Sequence, residues 1–286
     1  MGKKARRIAL RVPWEYNRTM GEARKGKERK RKKWALWLVL FSVCPWFMGQ
    51  AADSSASSLW QKIDEGFEFR SVQFEGEPYE SSIKLAILKI DLERFQVRVM
   101  DSRAFGAGRM PIKALAQKTQ ALAAVNGGFF FPDYRPLGLL IVDGREVNPL
   151  RNADWGVFLI QNNQARIIHT REFQNHQSIS QALQVGPRLV VDGRKLQMKR
   201  QVARRSALGI TLGNRVILLN TAGSEVYAED LARIFHLPES QGGLECRDAM
   251  TLDGGPSAQM YVEYKTLKID IPGGCAVPNG IGVFKK

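Results

Sequence analysis

Two stretches of this chain set a polar side chain before paired glycines at the end of an apolar run. They are Asn126-Gly127-Gly128 in AAVNGGFF and Asp253-Gly254-Gly255 in TLDGGPS. Paired glycines let the backbone turn sharply and approach a ligand closely. At the second stretch a ligand could meet the Asp253 carboxylate, the Ser257 hydroxyl and peptide N–H groups together. Asn126 offers both a donor and an acceptor. Either turn alone also reads as an ordinary tight turn, with Asp253 capping its own backbone. Two turns of one grammar point to a shared cleft. Between them, Arg204-Arg205-Ser206 leads into an apolar run. An arginine facing such a cleft can grip a phosphate with two parallel N–H donors and never loses its charge. The alternative for Arg205 is a solvated strand end.

These residues sit in a chain of 286 residues, 44% hydrophobic, enough to build one sizeable core. Its net charge of +15 suggests nucleic acid until the charge is located. The first 50 residues carry +11 of it, leaving +4 for the remainder. A body so mildly basic argues against a nucleic-acid partner. The basic run 25–33, KGKERKRKK, meets the uncharged apolar segment 34–48, WALWLVLFSVCPWFM, followed by GQAAD. That order is the n-, h- and c-region of a secretory signal. Its apolar part is shorter than the roughly 20 residues a bilayer span needs. We therefore expect residues 1–51 to be a signal peptide, or an anchor through 34–48, and residues 52–59 a linker. The domain proper spans 60–286, exported to the periplasm or beyond, with membrane contact only through the N-terminal segment. In an oxidising compartment Cys246 and Cys275 could form one disulfide. No CxxC pair occurs and His169, His176 and His236 are scattered, so neither a metal nor a cofactor is expected.

The elements that must position the site follow from periodicity. SIKLAILKIDL and FQVRVMDS alternate as strands. PIKALAQKTQA opens on a proline and reads as a helix. Four hairpins are predicted at Asp143-Gly144, Asn162-Asn163, Asp192-Gly193 and Gly213-Asn214, each a turn dipeptide between apolar alternations. SEVYAEDLARIFHL carries Leu231, Ile234 and Phe235 on one face, a second helix, and a third is expected over 241–249. YVEYKTLKI and GIGVF close the chain as strands. The fold class expected is a single-domain, hairpin-rich α+β arrangement, its largely antiparallel or mixed sheet covered by a few packed helices.

Five ordered motifs, AAVNGGFF, VGPRLVVDG, RRSALGI, CRDAMTLDGGPSAQM and VPNGIGVF, resemble the phosphodiester glycosidase family, whose domain occurs in bacterial envelope proteins. The resemblance covers roughly Trp60 to the end. It implies hydrolysis of a sugar joined through its anomeric oxygen to a phosphodiester. By resemblance Asn126, Arg205 and Asp253 would carry the chemistry. Gly127, Gly128, Arg204, Gly254, Gly255, Ser257 and, more weakly, Asn279 would bind substrate and phosphate. Pro256 stands where the family usually has a third glycine, which removes a backbone donor.

The chemistry is consistent with one principal carboxylate. A phosphate leaves as an anion of low basicity, so protonation by a general acid matters less than for an ordinary glycoside. Charge stabilisation of the departing phosphate matters more, and Arg205 with glycine N–H groups would supply it. Asp253 would act at the anomeric carbon; Asp133, Asp143, Asp154 and Asp248 are unranked candidates for a second carboxylate. A different class of reading is a catalytically silent module that binds anionic envelope polysaccharide. A metal-dependent phosphoesterase is disfavoured by the scattered histidines. The partner in the leading reading is a phosphate-linked glycan.

Overall fold

The computed structural model describes residues 60–79 and 82–286, all within the compact unit Ser54–Lys286. The expected signal or anchor and the linker lie outside the described residues. No helix among the described residues is long and apolar enough to cross a membrane.

Antiparallel sheets dominate, which corrects the α+β expectation. Eight strands form the largest sheet in the order Gln61–Asp64, Phe67–Phe74, Ile83–Ile90, Val216–Asn220, Ser206–Thr211, Cys246–Thr251, Arg188–Val191 and Arg194–Lys195. A five-stranded sheet runs Arg145–Asn148, Leu140–Val142, Ile179–Val185, Gly156–Gln161, Gln164–His169. Another runs Leu267–Ile271, Met260–Tyr264, Ala123–Asn126, Asn279–Lys285, Phe95–Asp101, and Val202–Ala203 pairs with Val226–Tyr227. Among the described residues only two α-helices form, α1 (Ile112–Thr119) and α2 (Ala228–His236). The sheets bury their faces mainly against one another, so helices are minor covers and the fold is mostly β.

The principal core shows why. Phe67, Leu88 and Met250 of the large sheet meet Phe158 and Leu183 of the second and Val125, Met260 and Ile281 of the third. The opposite face of the large sheet takes Leu85, Ile87, Leu189 and Ile217 against Leu231, Ile234 and Phe235 of α2. Its central strands are therefore apolar on both faces, as in Ile83–Ile90, where residues of either parity are buried. Helix α1 covers the third sheet through Ile112, Leu115 and Ala116.

All four predicted hairpins are present. At three of them, positive φ at Asp143 and Gly144, at Asn162 and Asn163, and at Asp192 and Gly193 matches the turns that suit strand twist. The helix expected over 241–249 does not form. A short 3₁₀ turn, Glu239–Gln241, ends at Gly242 in the left-handed region (φ 81°), and the buried Arg70 guanidinium donates to the Gly242 and Gly243 carbonyls. Cys246–Thr251 instead becomes a strand paired on both sides. Tertiary pairing overrides the local preference there. Both Cys246 and Cys275 are free thiols: Cys246 packs in the core beneath α2, where burial pushes its thiol up, while Cys275 lies in a loop beside Ser257.

Candidate functional site

The two glycine turns meet. Strand Ala123–Asn126 ends beside the end of Cys246–Thr251, and the Asp253 N–H donates to Gly127 O (2.9 Å). Fully buried Asn126 ties the junction together. Its side-chain N–H donates to Asp253 O (2.8 Å), while its Oδ1 accepts from the Ser206 hydroxyl (2.6 Å) and from Gln259 N–H (3.0 Å). Asn220 Nδ2 in turn donates to Ser206 Oγ (2.9 Å). Asn126 thus spends its hydrogen bonds on the protein, holding the Asp253 turn in place. Asn279 does the same for the other turn. Its backbone carbonyl accepts from Gly127 N–H (3.0 Å) and its Oδ1 from Gly128 N–H (2.7 Å). A methyl group at Gly127 would sit 2.1 Å from that Oδ1, so the pairing of Asn279 with glycine is steric as well as polar.

Asp253 is the half-buried carboxylate of this junction. Burial raises its carboxyl above the usual range, opposed by hydrogen bonds from the Ser257 side chain and the Gly254 N–H. The peptide donors of its turn are otherwise occupied: Gly255 N–H donates to Arg204 O (2.8 Å) and Ser257 N–H to Gly254 O (3.1 Å), and Pro256 has none. An anion therefore finds no free row of N–H groups in either glycine turn. Gly255 takes a left-handed φ of 57°, a conformation that favours glycine.

The adjacent arginines part company. Ser206 faces the Asn126 side of the large sheet, so its strand neighbour Arg205 points to the opposite face. Buried there, the Arg205 guanidinium donates to Val226 O (3.1 Å) and Gln201 O, its basicity lowered by burial. Arg204 instead lies by the Asp253 turn and donates to Pro272 O (2.7 Å) and Ala258 O (3.4 Å). Of the sequence-predicted residues, the structure brings together Asn126, Gly127, Gly128, Arg204, Asp253, Gly254, Gly255, Ser257 and Asn279. It turns the guanidinium of Arg205 away from them.

Sequence reasoning passed over Ser206, Asn220 and Gln259. Buried Gln259 accepts from Ile112 N–H at the start of α1 (2.9 Å) and donates to Cys275 O (2.8 Å). Its position in the SAQM segment, two residues past Ser257, carried no chemical signal. The four candidate second carboxylates also separate. Asp133 pairs with Arg135, Asp143 with Arg98, and Asp248 with Arg247. Asp154 accepts a hydrogen bond from His169 Nε2 (2.8 Å); because His169 Nδ1 accepts from Arg171 N–H, Nε2 carries the proton. That bond, aided by the positive fields of His169, Arg171 and Arg188, holds the Asp154 carboxyl below the usual range. Beside it, Trp155 meets Phe129 edge-on (centroids 5.0 Å apart), the residue after Gly128.

Two cavities lie elsewhere: one of about 300 Å³ beside Arg98, Asp143 and Gln181, and one of about 430 Å³ beside Phe69, Leu85 and Ile271. Neither includes Asp253. The Asp253 junction is the better candidate because the two glycine turns and the shifted carboxyl converge on it. Among the described residues no group of three or more His, Cys, Asp or Glu is placed to share a metal ion.

Residues 119–284 match the profile of the phosphodiester glycosidase family, and the chain belongs to that family. The match contains both glycine turns, Arg204 and Asn279. The fold is shared with the catalytic domain of zebrafish N-acetylglucosamine-1-phosphodiester alpha-N-acetylglucosaminidase auto-inhibited by its pro-peptide, at 17% identity and a TM-score of 0.59 over 77% of this chain and 83% of that one. It is shared too with a hypothetical protein from Synechocystis (15% identity, TM-score 0.55, 78% of this chain) and a protein from Burkholderia pseudomallei (14%, 0.50, 73% of this chain and 75% of that one). The chain spans 62% of the Synechocystis protein. At these identities the likeness is one of fold. No curated protein matches the chain.

Proposed function

We propose that the protein hydrolyses the glycosidic bond of a sugar-1-phosphodiester in envelope or extracellular glycans, with Asp253 as the carboxylate at the anomeric carbon. Membership of the family supports the reaction class. The observation that carries the assignment is the Asp253 carboxylate itself, held by Ser257 and Gly254 where two glycine turns meet, in surroundings that disfavour its charge. A carboxylate short of solvation gains most when positive charge develops on the sugar ring beside it. In the reaction the bond from the anomeric carbon to the phosphate oxygen breaks, and the electron pair leaves with the phosphate monoester. Water supplies the new oxygen on the sugar. Export is proposed from residues 25–51 alone.

The test is release of reducing sugar from a panel of sugar-1-phosphodiesters by the full chain and by Asp253→Asn. Turnover should fall by at least ~100-fold in the variant, as for loss of a group acting in the transition state. Turnover kept within a few-fold would remove Asp253 from the chemistry. Substrate binding without turnover in the parent would favour the polysaccharide-binding alternative.

A further inference from the structure

Neither glycine turn has free N–H donors for an anion, Arg205 faces the other side of the sheet, and Arg204 donates to two carbonyls. A glycosyl phosphodiester still needs a cation where its phosphate lies. The contacts around Asp253 trace a closed circuit that contains one. From Asp253 N–H the circuit passes to Gly127 O, then along the chain to Phe129 and across to the Trp155 ring. Trp155 packs on Gly186, where an added methyl would lie 3.3 Å from it. Pro187 O accepts from Thr251 N–H (2.9 Å), and Arg188 is the cross-strand partner of Met250, three residues before Asp253.

Arg188 is half-buried. Its stem crosses Gly156, where a methyl would come within 3.0 Å of Cγ and 3.2 Å of the Met250 sulfur. The side chain is therefore confined over a glycine. Among the described residues its guanidinium has no hydrogen-bond or ion-pair partner. The nearby Asp154 carboxylate feels its field but is engaged by His169. The strand that carries Met250 ends at Thr251, two residues before Asp253, so Arg188 lies opposite the stretch that leads directly into the Asp253 turn.

We propose that Arg188 holds the phosphate of the substrate and that Trp155 forms the platform against which the attached sugar rests. The proposal rests on the glycosyl phosphodiester reading above. A guanidinium matches a phosphate with two parallel N–H donors, and the confinement of the stem over Gly156 reduces the ordering lost on binding. The flat face of an indole suits the apolar face of a pyranose.

Titration of the full chain with inorganic phosphate and with glucose 1-phosphate, followed by calorimetry, tests this directly. Arg188→Ala should weaken both ligands by on the order of 10- to 100-fold, the range for a charged hydrogen-bonding pair. Arg188→Lys keeps the stem over Gly156 and should recover only part of the loss. It remains informative if Arg188→Ala does not fold. Trp155→Ala should weaken glucose 1-phosphate more than inorganic phosphate. Parent-like phosphate binding by either folded Arg188 variant, or no binding by the parent, overturns the proposal. Phosphate binding that depends on Arg188 in a protein that hydrolyses no diester would overturn the hydrolase reading and leave this site standing.

Discussion

Replacing Gly127 by alanine probes the junction at its tightest point. The added methyl would lie 2.1 Å from Asn279 Oδ1 and 3.2 Å from the Asn279 carbonyl carbon. Gly127 is absent from the positive-φ glycines, so the cost is steric. The amide must retreat by about 1 Å to restore an ordinary contact. That carries Oδ1 from 2.7 Å to beyond hydrogen-bonding distance of Gly128 N–H. Overpacking contributes about 1–3 kcal/mol, and the stranded, buried donor about 1–3 kcal/mol more. The expected loss in urea denaturation is thus about 2–6 kcal/mol, a large share of a typical domain's stability. Because Asp253 N–H hangs on Gly127 O, the carboxylate moves with the turn, and turnover per folded molecule should fall about 100-fold. Asn279→Ala removes the obstructing atom. The double variant should therefore be less destabilised than the sum of the singles by about 1–3 kcal/mol. As a control, Gly255→Ala has no atom within 4 Å of its methyl and should cost only left-handed strain, about 1–2 kcal/mol. A Gly127→Ala protein within ~0.5 kcal/mol of the parent, or single variants that simply add, would refute the steric account.

Three further outcomes follow from the same geometry. Burial raises the Asp253 carboxyl, so its contribution to stability is fully present below the ordinary carboxylate range and is lost as pH rises through the raised value; Asp253→Asn should melt above the parent near pH 7, with the gap closing toward about pH 3, and a gap independent of pH would contradict this. Ser257→Ala removes a hydrogen bond that lowers the Asp253 carboxyl, so the acid limb of the activity profile should move to higher pH; an unmoved limb means another group titrates there. Arg205→Ala strips donors from the Val226 and Gln201 carbonyls and should cost about 2–4 kcal/mol of stability, whereas a fully stable variant with a sharply raised KM would show that Arg205 reaches the substrate.

Local chemistry was legible in the sequence. Turn dipeptides placed four hairpins because positive φ is a property of Asn, Asp and Gly themselves. The two glycine turns were recognisable because an apolar run, a polar residue and two glycines make a pattern independent of distant contacts. The α+β class and the helix over 241–249 failed because strand pairing is non-local. Nothing within 246–251 announces that Ser206–Thr211 and Arg188–Val191 flank it.

The site divides the same way. Sequence by itself marked Asp253, Asn126 and the glycines as candidates for one constellation, and showed which family the chain resembles. Tertiary structure alone decided what each polar group faces. Asn126 and Asn279 became braces because the strand ends they occupy are buried against each other. Arg204 and Arg205 are neighbours of one type, yet one guanidinium donates to the Pro272 and Ala258 carbonyls and the other to those of Val226 and Gln201. Which side each one meets depends on where Ala123–Asn126 and α2 pack, far away along the chain. Arg188, within a motif quoted for its family likeness, acquired its place only when Gly156 came to lie beneath its stem.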